Sequence, residues 1–118
     1  MPQGLLNTLS AAEIAAQTGA GAIRCADVAQ ACIDRVRLRE PVVKAWSYFD
    51  PDLVLREAKA LDARAQRGPL HGVPVGVKDV IETCDMPTEM GSPIYRGYRT
   101  KSDASCVALL RAAGALIF

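Results

Sequence analysis

Lys78 ends the run Gly68-Pro69-Leu70-His71-Gly72-Val73-Pro74-Val75-Gly76-Val77-Lys78-Asp79, a stretch composed for extended, buried backbone. Val73, Val75 and Val77 alternate with Pro74, Gly76 and Lys78. On an extended chain the valines share one face, and the lysine lies on the other. Burying a lysine disfavours its charged form, and a neutral amine at neutral pH accepts protons. Such a lysine usually has a role beyond solubility, although no nucleophile–base pair stands beside it in the sequence. Gly76 on the same face leaves open space beside the amine. The plainer alternative is that Lys78 snorkels to water at a strand end, or pairs with Asp79 or another carboxylate.

The other reactive side chains read as structural. His71 is the only histidine, with no serine or cysteine identified as its partner. Asp79 suits a turn or an orienting role. Met90-Gly91-Ser92 is turn chemistry, since Gly91 permits positive φ and Ser92 precedes Pro93. Cys25, Cys32, Cys84 and Cys106 have no zinc-type spacing and read as buried thiols in a reducing cytoplasm. Arg96, Arg99 and Lys101 read as a solvated basic surface.

The bulk of the chain agrees with one small domain of 118 residues. Half of its residues are hydrophobic, enough to form a core. Fourteen basic and 13 acidic residues give a net charge of +1, which argues against a nucleic-acid partner. No apolar run approaches the roughly 20 residues of a membrane span. The stretch Met1 to Asn7 lacks the basic region and apolar core of a secretory signal.

The elements that must position Lys78 follow from caps and stripes. Ser10 and Glu13 have capping-box spacing and predict a helix over 11–18, with a turn over 19–21. A second helix is expected over 25–39, with Val28, Cys32 and Val36 as its stripe and Pro41 just past its end. Arg24 stands at its cap position, which weakens that start. Residues 45–49 read as a short strand. Asp50-Pro51 starts a third helix running to about 66, with Val54, Ala58, Leu61 and Ala65 buried. A turn-rich loop covers 81–102. Ser102 and Asp103 cap a last helix to about 113, whose apolar face is Cys106, Leu109, Leu110 and Ala113. A strand begins at 115. The order predicts an α/β fold, mostly helical over 1–67, with the lysine strand, loop, helix and next strand over 68–118.

The run 68–79 resembles the first motif of the amidase signature family. Met86-Pro-Thr-Glu-Met-Gly-Ser-Pro-Ile-Tyr-Arg-Gly97 and Asp103-Ala-Ser-Cys-Val-Ala-Leu-Leu-Arg-Ala-Ala-Gly114 are similar to its continuation. The helix around 27–35 and the segment 46–50 match more loosely. The resemblance is closer to free-standing amidases than to the A-type component of the glutamyl-tRNA amidotransferase. It implies the N-terminal part of a mixed sheet flanked by helices. It also implies hydrolysis of a carboxylic amide by a serine, a second serine in a cis peptide, and a lysine matched by Lys78. Met90, Gly91 and Ser92 match a segment lining the substrate cavity. The family's Gly/Ser-rich segment, which carries both serines, lies past the point where this sequence stops. Ser92, Ser102 and Ser105 stand in other motif contexts. The resemblance therefore implies an N-terminal amidase portion, inactive alone, arising by truncation, a broken frame or as a fragment. It implies no metal or organic cofactor. The expected partners are a small-molecule amide and either a complementing C-terminal region or a second copy of the chain. Two other readings stand beside it: a non-catalytic association module, and part of a tRNA-dependent amidotransferase.

Overall fold

A computed structural model describes residues 3–118, with side chains from Leu5 onward. Met1 and Pro2, the start of the stretch without a leader pattern, lie outside the described residues. A 3-10 helix over Gln3–Thr8 leads into α1 (Ala11–Gly19). The capping box forms as its spacing predicts: Glu13 N–H donates to Ser10 Oγ at 3.2 Å, and Ser10 N–H donates to Glu13 Oε2 at 2.8 Å.

The second helix, α2 (Cys25–Val43), runs past the expected stop and carries Pro41 inside its last turn. Proline removes one helical hydrogen bond, but so near the end only one carbonyl loses its partner. The helix closes at Lys44, which takes φ 51° and donates its N–H to Glu40 O at 2.9 Å. Glu40 Oε1 then accepts from Trp46 N–H at 2.8 Å and draws the following segment off as irregular chain. That is why 45–49 is not a strand. Its aromatic rings pack instead: Trp46 lies 5.5 Å from Phe49 and 6.1 Å from Phe118 between ring centroids.

Arg24 makes no side-chain cap to α2. The cap comes from the far end of α3 (Pro51–Asp62). Asp62 Oδ1 accepts from Cys25 N–H at 2.7 Å, and Oδ2 accepts from Ala26 N–H at 3.0 Å. A carboxylate here satisfies two orphan donors and meets the positive end of the helix dipole. The start weakened at position 24 is thus repaired from 37 residues downstream. α3 begins as predicted, with Asp50 accepting from Leu53 N–H at 3.0 Å ahead of Pro51. It ends at Asp62, so Ala65 is exposed rather than buried.

The sheet is small and parallel: β1 (Pro74–Val75) pairs with β2 (Leu116–Ile117), Pro74 opposite Leu116 and Val75 opposite Ile117. Between them comes α4 (Ser105–Ala112). Neither Ser102 nor Asp103 caps it, and Ala104 holds the cap position without a side-chain bond. Asp103 is occupied elsewhere, accepting from Cys84 N–H at 2.8 Å and Arg111 Nε at 3.0 Å. The buried face of α4 is Val107, while Cys106 and Leu109 are exposed. The short helix packs by one edge, with Val107 and the half-buried Leu110 against Met86 and Ile117, so only part of its apolar stripe is used.

Parallel strands are covered on both faces, and β2 shows this by alternation. Leu116 and Phe118 join Cys25, Ala29, Ile33, Val54, Ala58 and Leu61 of α2 and α3. Ile117 faces the other way, to Met86 and Val107. Val73 packs in a third cluster with Leu6, Ile14, Val28 and Ala31. The valines of the lysine run therefore serve two clusters rather than one face. The layered α/β arrangement agrees with the sequence expectation. Asp62→Ala is expected to lower unfolding free energy by about 1–2 kcal/mol, and adding Arg24→Ser should recover part of that loss. Urea denaturation of the single and double variants measures both.

Candidate active site

The lysine run reaches its position through backbone pairing that begins before the sheet. Leu70 N–H donates to Ala113 O at 2.9 Å, and Gly72 N–H donates to Gly114 O at 2.9 Å. Leu116 N–H then donates to Val73 O at 2.8 Å, and Phe118 N–H to Val75 O at 2.9 Å. Two glycines make room around this pairing, one toward α2 and one toward the opposite segment. Gly72 has φ +72°, and a Cβ there would sit 2.5 Å from Cys25 Sγ. Gly114 has φ +92°, and a Cβ there would meet His71 Cα at 3.0 Å.

Past β1 the chain turns, with Ile81 N–H donating to Lys78 O at 2.9 Å. Lys78 lines an open cleft of about 570 Å³ together with Trp46, Ser47, Thr83, Met86, Met90 and Phe118. Its side chain is exposed, which corrects the expectation of a buried lysine. Pairing ends at Val75, three residues earlier, and the described residues leave the lysine face uncovered.

Asp79 ties the far wall to this one. Its Oδ1 accepts from Glu89 N–H at 2.8 Å, and its backbone O accepts from Met90 N–H at 2.9 Å. Met90 and Gly91 follow with φ 57° and 65°. The left-handed value is costly for methionine, by about 1 kcal/mol, so the two bonds from Asp79 hold a turn that would otherwise relax. Glu89 Oε2 also accepts from Gly97 N–H at 2.8 Å, which braces the same turn from behind. Met90 and Gly91 line the cleft, but Ser92 does not. Its hydroxyl accepts from Ile94 N–H at 3.4 Å and starts the 3-10 helix Pro93–Tyr95. Of the expected site residues, the structure brings together Lys78, Met90 and Gly91 and leaves Ser92 outside. Spacing alone does not single out Trp46, Ser47, Thr83 or Phe118. The aromatic pair is visible in the sequence only as apolar residues, and nothing around Ser47 marks it.

The remaining candidates stay structural. His71 is buried in the turn before β1, with Nδ1 unpartnered among the described residues and its carbonyl accepting from the Thr18 hydroxyl. Burial first, then Arg67 and Arg64, hold its pKa below the usual value against the opposing pull of Asp62. Burial, with Asp62 adding to it, pushes the Cys25 thiol up to about 12. Burial also raises Cys32, and burial with Asp103 raises Cys84, so these three thiols are poor nucleophiles at neutral pH. Cys25 is a core residue as expected, but Cys84 and Cys106 are exposed because the loop and α4 turn them outward. Arg99 is also more than solvated surface: its guanidinium lies 5.7 Å from the Tyr48 ring centroid and donates to Asp85 O at 3.2 Å. Arg111 joins Asp85 at 2.9 Å and Asp103 at 3.0 Å, pinning α4 to the loop. Among the described residues no three His, Cys, Asp or Glu side chains converge to hold a metal ion, and no helix is long and apolar enough to cross a membrane.

Comparison with known proteins gives consistent matches. The sequence model of the family described as Amidase matches residues 27–118. A Mycobacterium tuberculosis protein named as an amidase, AmiD, is 36% identical over 99% of this chain and 26% of its own length. The A-type component of the glutamyl-tRNA(Gln) amidotransferase of Chloroflexus aurantiacus is 39% identical over 93% of this chain and 23% of its own. The solved peptide amidase of Stenotrophomonas maltophilia superposes with a TM-score of 0.84 at 34% identity, over 92% of this chain and 23% of that one. The chain thus spans about a quarter of the length of the relatives it matches. The identities of 36% and 39% do not separate the two kinds of relative.

Two outcomes are expected. Asp79→Ala should free the 89–91 turn, raising hydrogen exchange at the Glu89 and Met90 amides by about tenfold or more while α2 amides stay protected; amide-resolved exchange by NMR reads this. The folded-state pKa of His71 lies below its ordinary 6.5, so the unfolded chain takes up the proton first. Its contribution to stability is complete above pH 6.5 and is lost as pH falls below it. The urea midpoint should therefore drop between about pH 7 and pH 5, and His71→Gln should flatten that slope.

Proposed function

Because the chain belongs to the Amidase family, we propose that it supplies the lysine-bearing wall of a site that hydrolyses a carboxylic amide to an acid and ammonia or an amine. Lys78 is the base of a serine–serine–lysine arrangement. It takes a proton from a bridging serine, which takes one from the nucleophilic serine as that serine attacks the carbonyl. The leaving nitrogen regains a proton by the same route, and water then releases the acid. The observation that carries this reading is the place of Lys78: just past the end of β1, in a cleft whose opposite wall, Met90 and Gly91, is fixed through Asp79. The desolvation a basic lysine needs would come from whatever covers the open side of that cleft. Neither serine is assigned to these residues, and Ser47 stands in a segment unlike the family's Gly/Ser-rich one.

On this reading the 118 residues alone turn over no amide, since nucleophile and oxyanion donors each contribute large factors in rate. Hydrolysis of simple aliphatic and aromatic amides by the purified chain should stay at background, and Lys78-dependent turnover would overturn the inactivity. A chimaera in which these residues replace the matching quarter of the Stenotrophomonas peptide amidase tests the lysine itself. Lys78→Ala in that chimaera should cut kcat/KM by about 10³-fold or more, with circular dichroism unchanged. A folded chimaera that keeps its activity without Lys78 would sink the assignment.

The likeness to the Chloroflexus protein favours a second reading, a portion of a tRNA-dependent amidotransferase. Co-purification of a companion chain supports it over the free-standing hydrolase. Exposed Leu38, Val42, Ile94 and Leu109 also fit association with another chain. Size-exclusion chromatography checks that, and a well-behaved monomer would count against it.

A further inference from the structure

The lysine run carries three glycines, and the fold requires only two of them. A Cβ at Gly68 would collide with Ala113 O, a backbone atom that cannot give way. Gly72 combines positive φ with the close approach of Cys25 described above. Gly76 has neither demand. Its φ lies outside the left-handed region, and a Cβ there would meet nothing nearer than Trp46 Cη2, at 3.5 Å, an ordinary contact. Gly76 lies one residue past β1 in irregular chain, and a glycine that neither φ nor contact demands leaves the backbone there open to close approach by another group. Gly76 is exposed and lines the same cleft as Lys78, within roughly 7 Å of it along the chain. The wall beside it is the half-buried Trp46, backed by the buried Phe118 ring 6.1 Å away at 44°.

We propose that the space over Gly76 receives a flat apolar group of the amide ligand, an aromatic ring for preference, laid against Trp46 while its carboxamide points toward Lys78. Gly76 is then a specificity-determining residue. Aromatic pairs favour offset or tilted stacking, and a ring laid on Trp46 continues the arrangement in which Trp46 already meets Phe118. The cleft offers an alkyl or aryl group the Trp46 ring, and offers a charged substituent only Lys78 and Asp79, of which Asp79 is already engaged by Glu89 N–H. The choice of an amide as ligand rests on the proposed function; the space over Gly76 does not.

Binding tests this without turnover. Trp46 is the only tryptophan in the chain, so its emission reports the cleft directly. Benzamide should quench it with a dissociation constant in the millimolar range, and 4-fluorobenzamide should broaden in fluorine NMR, while acetamide does neither. Gly76→Ala, whose methyl fits without moving Trp46, should weaken benzamide a few-fold, and Gly76→Val by about tenfold or more, both with unchanged circular dichroism. If Gly76→Val misfolds, the Gly76→Ala titration decides. Equal affinity in wild type and Gly76→Ala, or no benzamide response beyond that of acetamide, overturns the proposal. Benzamide binding that survives while the Lys78→Ala chimaera stays active would remove the lysine's role and leave this site standing. Loss of benzamide selectivity alone would do the reverse.

Discussion

The close parallel pairing of residues 70–75 with 113–118 is the constraint on which the rest of the structure depends. Four backbone bonds of 2.8–2.9 Å run along it, and side chains at Gly68 or Gly114 would collide with the backbone across it. Strand pairing between such distant segments carries a loop-closure cost that local helices do not. The fold meets it with packing on both faces of β2: Leu116 and Phe118 toward α2 and α3, Ile117 toward Met86 and Val107. Once this pairing is set, the chain leaving β1 has one direction available, and Lys78 arrives opposite the 89–91 turn.

The cleft is held by fewer bonds than the core beneath it. One carboxylate, Asp79, spans from the lysine wall to the turn carrying Met90 and Gly91. Behind that turn the polar groups chain together: Glu89 to Gly97, Thr88 to Tyr98, and Arg111 to both Asp85 and Asp103. These partly exposed ion pairs add little stability individually. Their value is geometric, because a long loop without regular structure keeps one shape only if its backbone groups find partners.

Local chemistry makes most of this legible in the sequence. The Ser10 capping box, the Asp50-Pro51 start and the stripe of Val54, Ala58 and Leu61 depend on neighbours a few residues away, and all form as read. The features that escape such a reading depend on distant partners. Trp46 to Phe49 has strand composition, but Glu40 and the Phe118 ring claim it. The apolar period of α4 points to a wide face, yet only Val107 is fully buried, against Met86 and Ile117, with Leu110 half-buried beside it and Cys106 and Leu109 exposed. Pro41 has the look of a stop, although a proline in a last turn forfeits a single bond. At the site, composition locates Lys78 and the Met90–Gly91 turn but not the exposure of the lysine, because alternation in a sequence states which residues share a face and not whether that face is covered. The role of Asp79 is half visible as a turn or orienting residue, and only the fold names the Glu89 amide it holds.

The cap that Asp62 places on α2 has an evolutionary consequence. The start of that helix is written at position 62, not at position 24, so the two sites form one unit of variation. A serine or threonine at 24 would supply its own cap and release 62 from that duty. With arginine at 24, as here, the two amides depend on the carboxylate at 62. Substitutions tolerated at either position are therefore readable only from the other, and a comparison that scored each column by itself would take a shared requirement for two indifferent sites.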